Sequence, residues 1–123
     1  MKLKLACVRL ENGRCPFLEG LEDLPVADQA KVLAWARRLA EESLLRQPPY
    51  AKHLGDGIFE LRLSIRAGEH RSFFFYHKPD RLVITHGYVK KTNKTAAVEI
   101  DRAKRLRSYY EKNEPRSEER PAE

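Results

Sequence analysis

The 123-residue sequence predicts a small α+β domain in which an antiparallel sheet packs against helices. Three observations carry that expectation. Residues 58–66 alternate strictly between apolar and polar side chains, the period of a half-buried strand. Two more strands are expected, at 70–78 and 82–89, and the links between them are too short for anything but neighbouring antiparallel strands. Segments of helical period flank this meander, at 25–43 and 95–112. The expected sheet is therefore an N-terminal strand plus a three-stranded meander.

Taken in order, residues 2–9 alternate with Leu3, Leu5 and Cys7 on one face, and Glu11-Asn12-Gly13-Arg14 is a turn signal. Pro16 stands where a first helical residue lacks no needed donor, opening a short turn through Leu21. Pro25 does the same for a longer helix reaching Ser43. On it Val26, Ala30, Leu33, Arg37 and Ala40 form one stripe, with Val32, Ala36 and Leu39 beside it. Pro48-Pro49 stops any continuation, and Gly55-Asp56-Gly57 is a second turn. Ala67-Gly68-Glu69 and Lys78-Pro79-Asp80-Arg81 link the three meander strands. The last helix buries Ala96, Ile100, Ala103, Leu106 and Tyr110. Beyond Lys112, residues 113–123 are Glu, Pro, Arg, Ser and Ala without apolar period, the composition of a disordered tail. One domain, 1–112, holds all the rest.

Apolar residues make up 41% of the chain and charged residues 34%, with a formal net charge of +6. A chain this long closes one core without disulfides or metals, and its basic balance favours an acidic partner. No apolar run approaches the roughly 18 residues a membrane span needs, and Met1-Lys-Leu-Lys-Leu-Ala-Cys7 lacks a signal-peptide core, so a cytoplasmic protein without a membrane partner is expected. Cys7 and Cys15 are the only cysteines. No His-x3-5-His pair completes a zinc site with them, so they are expected to be buried or idle thiols, and no metal or other cofactor is expected.

The densest chemistry lies at His86-Gly-Tyr-Val-Lys-Lys-Thr-Asn-Lys94, where the third meander strand gives way to the last helix. Lysines at such a junction suit an anion, because unpaired backbone N–H groups and the helix dipole already favour one. A solvated basic turn has the same composition. Period two sets which residues share a surface. Glu60, Arg62 and Arg66 oppose the aliphatic set of their strand. Arg71, Phe73, Phe75 and His77 share one face of the next, while His70, Ser72, Phe74 and Tyr76 share the other. His86 and Tyr88 are expected beside Leu82 and Ile84.

Cleaving RNA without a metal requires a group to take the 2′-OH proton, a cation to hold the phosphorane charge and an acid for the leaving oxygen. Arg62 and Arg71 suit the second need, since a guanidinium fork matches phosphate oxygens. Lys91, in a cluster of like charges of the kind that favours a neutral amine, and His86, since a histidine ordinarily titrates near neutrality, suit proton transfer. Lys90, Lys94, Tyr88, Arg102 and Arg105 are the candidate RNA contacts. The strand arginines and the helix charges would equally fit solvated surfaces, and His86 a satisfied interior histidine.

Tyr50-Ala-Lys-His-Leu-Gly-Asp-Gly-Ile-Phe-Glu-Leu-Arg62, Arg71-Ser-Phe-Phe-Phe-Tyr76 and the His86–Thr95 segment, with Glu99, Ile100 and Ala103, together resemble the phage-derived HigB-like branch of the RelE/ParE toxin superfamily. The resemblance implies a RelE-like fold and the toxin of a type II toxin–antitoxin pair. It further implies ribosome-dependent cleavage of mRNA with no metal, and neutralisation by an antitoxin protein of helix-turn-helix type. The family's strand arginines fall on Arg62 and Arg71, its basic loop on Lys90, Lys91 and Lys94, with His86 in the strand before. Two positions depart from the pattern: Ala96 stands where the family often has proline, and Glu60 where RelE members carry a lysine. Two other functions are compatible with such a chain, a non-enzymatic ParE-like inhibitor of gyrase and an RNA-binding module without cleavage.

Overall fold

The computed structural model describes residues 1–91 and 96–113. In chain order it contains β1 (Lys4–Cys7), α1 (Pro16–Glu19), α2 (Val26–Glu41), a 3-10 turn (Ser43–Arg46), β2 (Ala51–Gly55), β3 (Ile58–Ile65), β4 (Gly68–His77), β5 (Arg81–Lys90) and α3 (Ala97–Lys112). The tail expected at 113–123 lies, beyond Asn113, outside the described residues.

The α+β class and the meander are present, with β3, β4 and β5 joined as antiparallel neighbours. Two features of the sheet depart from expectation. It has five strands in the order β1-β5-β4-β3-β2, and β1 runs parallel to β5, so the sheet is mixed rather than antiparallel. The parallel pairing follows from what separates the two strands: α1, α2 and the meander form a long crossover that returns the chain in the same direction. The extra strand, β2, pairs antiparallel with β3 across the turn at Asp56-Gly57. Both residues there have positive φ, 54° and 78°, the requirement of a type I′ hairpin. The turn was evident in the sequence. The strand was hidden by exposed Lys52 and His53, which give it no apolar alternation.

Helices cover both faces. On one, Phe17 of α1 and Val32, Ala36 and Leu39 of α2 pack on Leu61, Leu63, Phe74, Leu82 and Ile84. On the other, Ala103 and Tyr110 of α3 pack on Ile58, Phe73, Phe75 and Val83, with Ala6 and Val8. The buried stripe of α2 is Asp28, Val32, Ala36, Leu39 and Ala40, whereas Val26 is exposed. Val32, Ala36, Leu39 and Ala40 all belong to the expected broad apolar face, and the helix is rotated within it, away from Val26, Ala30 and Arg37. Asp28 explains the rotation: its carboxylate accepts from the backbone N–H of Arg66 at 2.9 Å and of Ala67 at 3.0 Å, tying α2 to the β3–β4 hairpin. Such a bond from a charged acceptor contributes roughly 1.5–3 kcal/mol.

A β-bulge in β5 decides what the second face carries. Phe73 pairs with His86 but Phe74 pairs with Ile84, leaving Thr85 as the extra residue. One inserted residue reverses side-chain parity beyond it. His86 and Tyr88 consequently face α3, not the α2 side with Leu82 and Ile84. Gly87 points the other way, where a methyl group would stand 2.7 Å from the His70 ring. Gly20, after α1, comes equally close to β5: a methyl there would lie 2.8 Å from the Gly87 carbonyl oxygen.

Candidate functional site: a charged face beside helix α3

Cross-strand register assembles the site. Arg62, Arg71 and Tyr88 form one row across β3, β4 and β5; Glu60, Phe73 and His86 form the next; Glu69 and Lys90 form a third. The bulge is what brings residues 86, 88 and 90 into these rows. At the centre Glu60 is 0% exposed. One of its oxygens is 2.7 Å from Arg71 Nη1 and the other accepts from Arg62 Nε at 3.1 Å. Arg71, 2% exposed, also meets Glu69 Oε1 at 3.2 Å. Burial opposes the Arg71 charge, and the two carboxylates more than offset it, raising its pKa. Arg62 keeps 39% of its side chain exposed, so it is the guanidinium of the pair that meets solvent.

Lys90 stands beside this cluster, and partial desolvation with the Arg71 charge lowers its pKa. Lys91, the expected proton-transfer lysine, is an exposed residue one position past β5 and outside these rows. The like-charge argument therefore applies to the neighbour that the strand turns inward. Lys94 lies outside the described residues.

His86 differs more from expectation. It is 0% exposed, with Nε2 at 2.9 Å from Glu99 Oε1 and Nδ1 at 3.1 Å from the Thr85 hydroxyl. Burial lowers its pKa, with Glu99 acting against that and the Arg102 charge adding to it. A neutral ring donating from Nε2 suits the Glu99 contact, while the Thr85 hydroxyl beside Nδ1 also reaches the Phe73 carbonyl, to which it donates at 3.3 Å. Buried in this way, His86 ties the first turn of α3 to β5 through Glu99. Tyr88 packs edge-on against Phe73 at 5.9 Å between centroids. Burial, then Glu60 and Glu99, push its phenol up, while the Ala96 amide and Arg71 act against them.

Arg102 and Arg105 do not join the rows. They line a separate cleft of roughly 330 Å³ with Arg14, Pro16, Glu19 and Tyr109. The acidic members Glu60, Glu69 and Glu99 were not among the expected site residues. Glu60 had a signal: two residues from Arg62 in a strand, it had to share that arginine's face. Among the described residues no group of three or more His, Cys, Asp or Glu side chains is arranged to hold a metal ion, and no helix is long and apolar enough to cross a membrane.

The fold and the site define a class, a mixed five-stranded α+β domain whose α3-side face holds two arginines and a lysine around one buried carboxylate. The chain belongs to the family described as phage derived protein Gp49-like (DUF891), whose model matches residues 19–108. That span includes every residue of the charged rows and leaves β1 and both cysteines outside. No curated protein matches the chain.

Proposed function

We propose that this protein is an endoribonuclease that cleaves mRNA on the ribosome without a metal, the toxin of a type II toxin–antitoxin pair. The observation that carries the reading is the cluster Arg62–Glu60–Arg71 with Lys90 on the same sheet face. Arg62 offers an exposed fork for a phosphate oxygen. Arg71, fixed by Glu60 and Glu69, supplies a second positive charge that costs no reorganisation when the phosphorane forms. Lys90, its pKa lowered, is the proton-transfer group, in place of the Lys91 that spacing suggests. Lys91 and Lys94 add charge for the RNA backbone, and the net charge of +6 favours the same partner. The resemblance to HigB-like toxins supports the ribosome as the setting and a helix-turn-helix protein as the antitoxin.

The test is addition of purified protein to a translating extract, followed by mapping of message ends. Cuts within codons at the ribosomal A site are expected, and Arg62→Ala should lower the rate by on the order of 100-fold. Intact message with translation unimpaired would sink the proposal. Salt-sensitive RNA binding without cuts would instead identify a binding module, and gyrase inhibition with translation intact a ParE-like inhibitor.

A further inference from the structure

Cys7 closes β1 and Cys15 immediately precedes α1, and both are free thiols. Their sulfurs lie 3.3 Å apart, sharing one S–H hydrogen bond. The backbone between them is closed on itself. Leu10 N–H donates to the Arg14 carbonyl and Gly13 N–H to the Leu10 carbonyl, each at 2.8 Å, and Arg14 N–H donates to Asn12 Oδ1 at 3.0 Å. Gly13 takes the positive φ, 87°, that this tight reversal needs. The thiols are therefore brought together by a formed turn, remote in sequence from the charged rows.

We propose that Cys7 and Cys15 are a redox modification site, oxidised by a small hydroperoxide to an intrachain disulfide. The two sulfurs divide the work. The Cys7 S–H, set against burial, pulls the Cys15 pKa down to about 6, and the backbone N–H groups of Leu18 and Phe17 and the Arg9 charge assist. The same contact, with burial, raises that of Cys7. The shared hydrogen bond thus lets one sulfur carry the charge while the other holds the proton, with Cys15 the favoured thiolate. The Cys15 thiolate attacks the peroxide: an S–O bond forms, the O–O bond breaks, and the departing oxygen takes a proton to leave as water or alcohol. The Cys7 sulfur then attacks the sulfenic sulfur of Cys15. The S–S bond forms, the S–O bond breaks, and hydroxide leaves as water with the Cys7 proton. Two electrons pass from the thiols to the peroxide. Cys15 is 4% exposed and Cys7 is half-buried, so approach from the Cys7 side suits a small oxidant.

The experiment uses the full chain, reduced, freed of reductant and exposed to equimolar hydrogen peroxide near neutral pH, with thiols counted by alkylation and intact mass. Both thiols should disappear together with the mass of two hydrogen atoms, in a monomer, and dithiothreitol should restore them. Cys7→Ser should stop at a sulfenic acid on Cys15 that dimedone captures, and Cys15→Ser should keep its remaining thiol. Circular dichroism confirms that each variant is folded. Retention of both thiols while glutathione in the same tube is consumed would overturn the proposal. Disulfides formed only between chains, or a Cys15→Ser variant that reacts as fast as the parent, would do the same.

Discussion

Toward α2 the sheet presents Leu61, Leu63, Phe74, Leu82 and Ile84, while toward α3 the same strands present Glu60, Arg62, Arg71, Tyr88 and His86 around Phe73. The first face is held by apolar area, a non-directional force that degrades in proportion to the atoms removed. The second adds to its apolar set of Ile58, Phe73, Phe75 and Val83 a cluster of ion pairs and hydrogen bonds, each of which depends on a particular partner. The contrast teaches where tolerance to change lies. A face built from area accepts any side chain of suitable volume, and a face built from paired charges fails when one member is removed.

The largest effect should come from breaking that second plan at its centre. Glu60→Ala takes from the buried Arg71 a carboxylate held at 2.7 Å, and removing one member of a buried pair costs about 3–5 kcal/mol, read as a lowered urea midpoint. The double change Glu60→Leu with Arg71→Met should recover most of that loss, because two apolar side chains need no partner. Under the proposed function, RNA cleavage should be absent from the double variant even where stability returns, which would separate a structural role of the cluster from a chemical one. Recovery of neither property would mean that the pair does not hold this face.

Acid should act on the face toward α2 through His70. Burial lowers its pKa from 6.5 to about 4, so the folded protein keeps it neutral while the unfolded chain protonates. The sign follows: stability is complete above pH 6.5 and falls as the pH drops from 6.5 toward 4, by about 3 kcal/mol in all. His86, also lowered by burial, works in the same direction. Denaturation midpoints at pH 7 and pH 5 should therefore differ more in the parent than in His70→Gln, which no longer titrates there.

Smaller again is the close packing around the bulge. Gly87→Ala drives a methyl into the His70 ring and within 3.0 Å of the Arg71 carbonyl, and overpacking of this kind costs about 1–3 kcal/mol. Gly87→Ala combined with His70→Ala should lose less than the sum of the two single changes, since the collision partner is gone. Thermal unfolding of the four proteins checks the coupling.

The sequence made the meander and α3 legible because each repeats a period long enough to exclude alternatives. Ala103 and Tyr110 are buried as their spacing required. What it hid had no periodic trace. The bulge at Thr85 inserts one residue and so reverses the faces of His86 and Tyr88 without altering composition. β2 is short and exposed, and its strand character comes from the β3 edge it covers. The parallel β1–β5 pairing is a relation between distant segments that no local pattern encodes. In the candidate site, the arginines were visible as residue types on their strands, while the register that aligns them was not. Their pairing with Glu60, and the place of Lys90 rather than Lys91 beside them, required the side-chain geometry.

The edge position of β1 has a consequence in the order of synthesis. Lys4–Cys7 leaves the ribosome first, yet its partner strand begins at Arg81. At typical elongation rates of 5–20 residues per second, the interval is roughly 4–15 s. Ala6 and Val8, fully packed in the finished protein, wait through it without their neighbours on β5 and α3. The antiparallel hairpins can close as they emerge, since their pairs are local. The N-terminal strand is therefore the last part of the sheet to be seated, and the thiols at its end meet only as it and α1 settle.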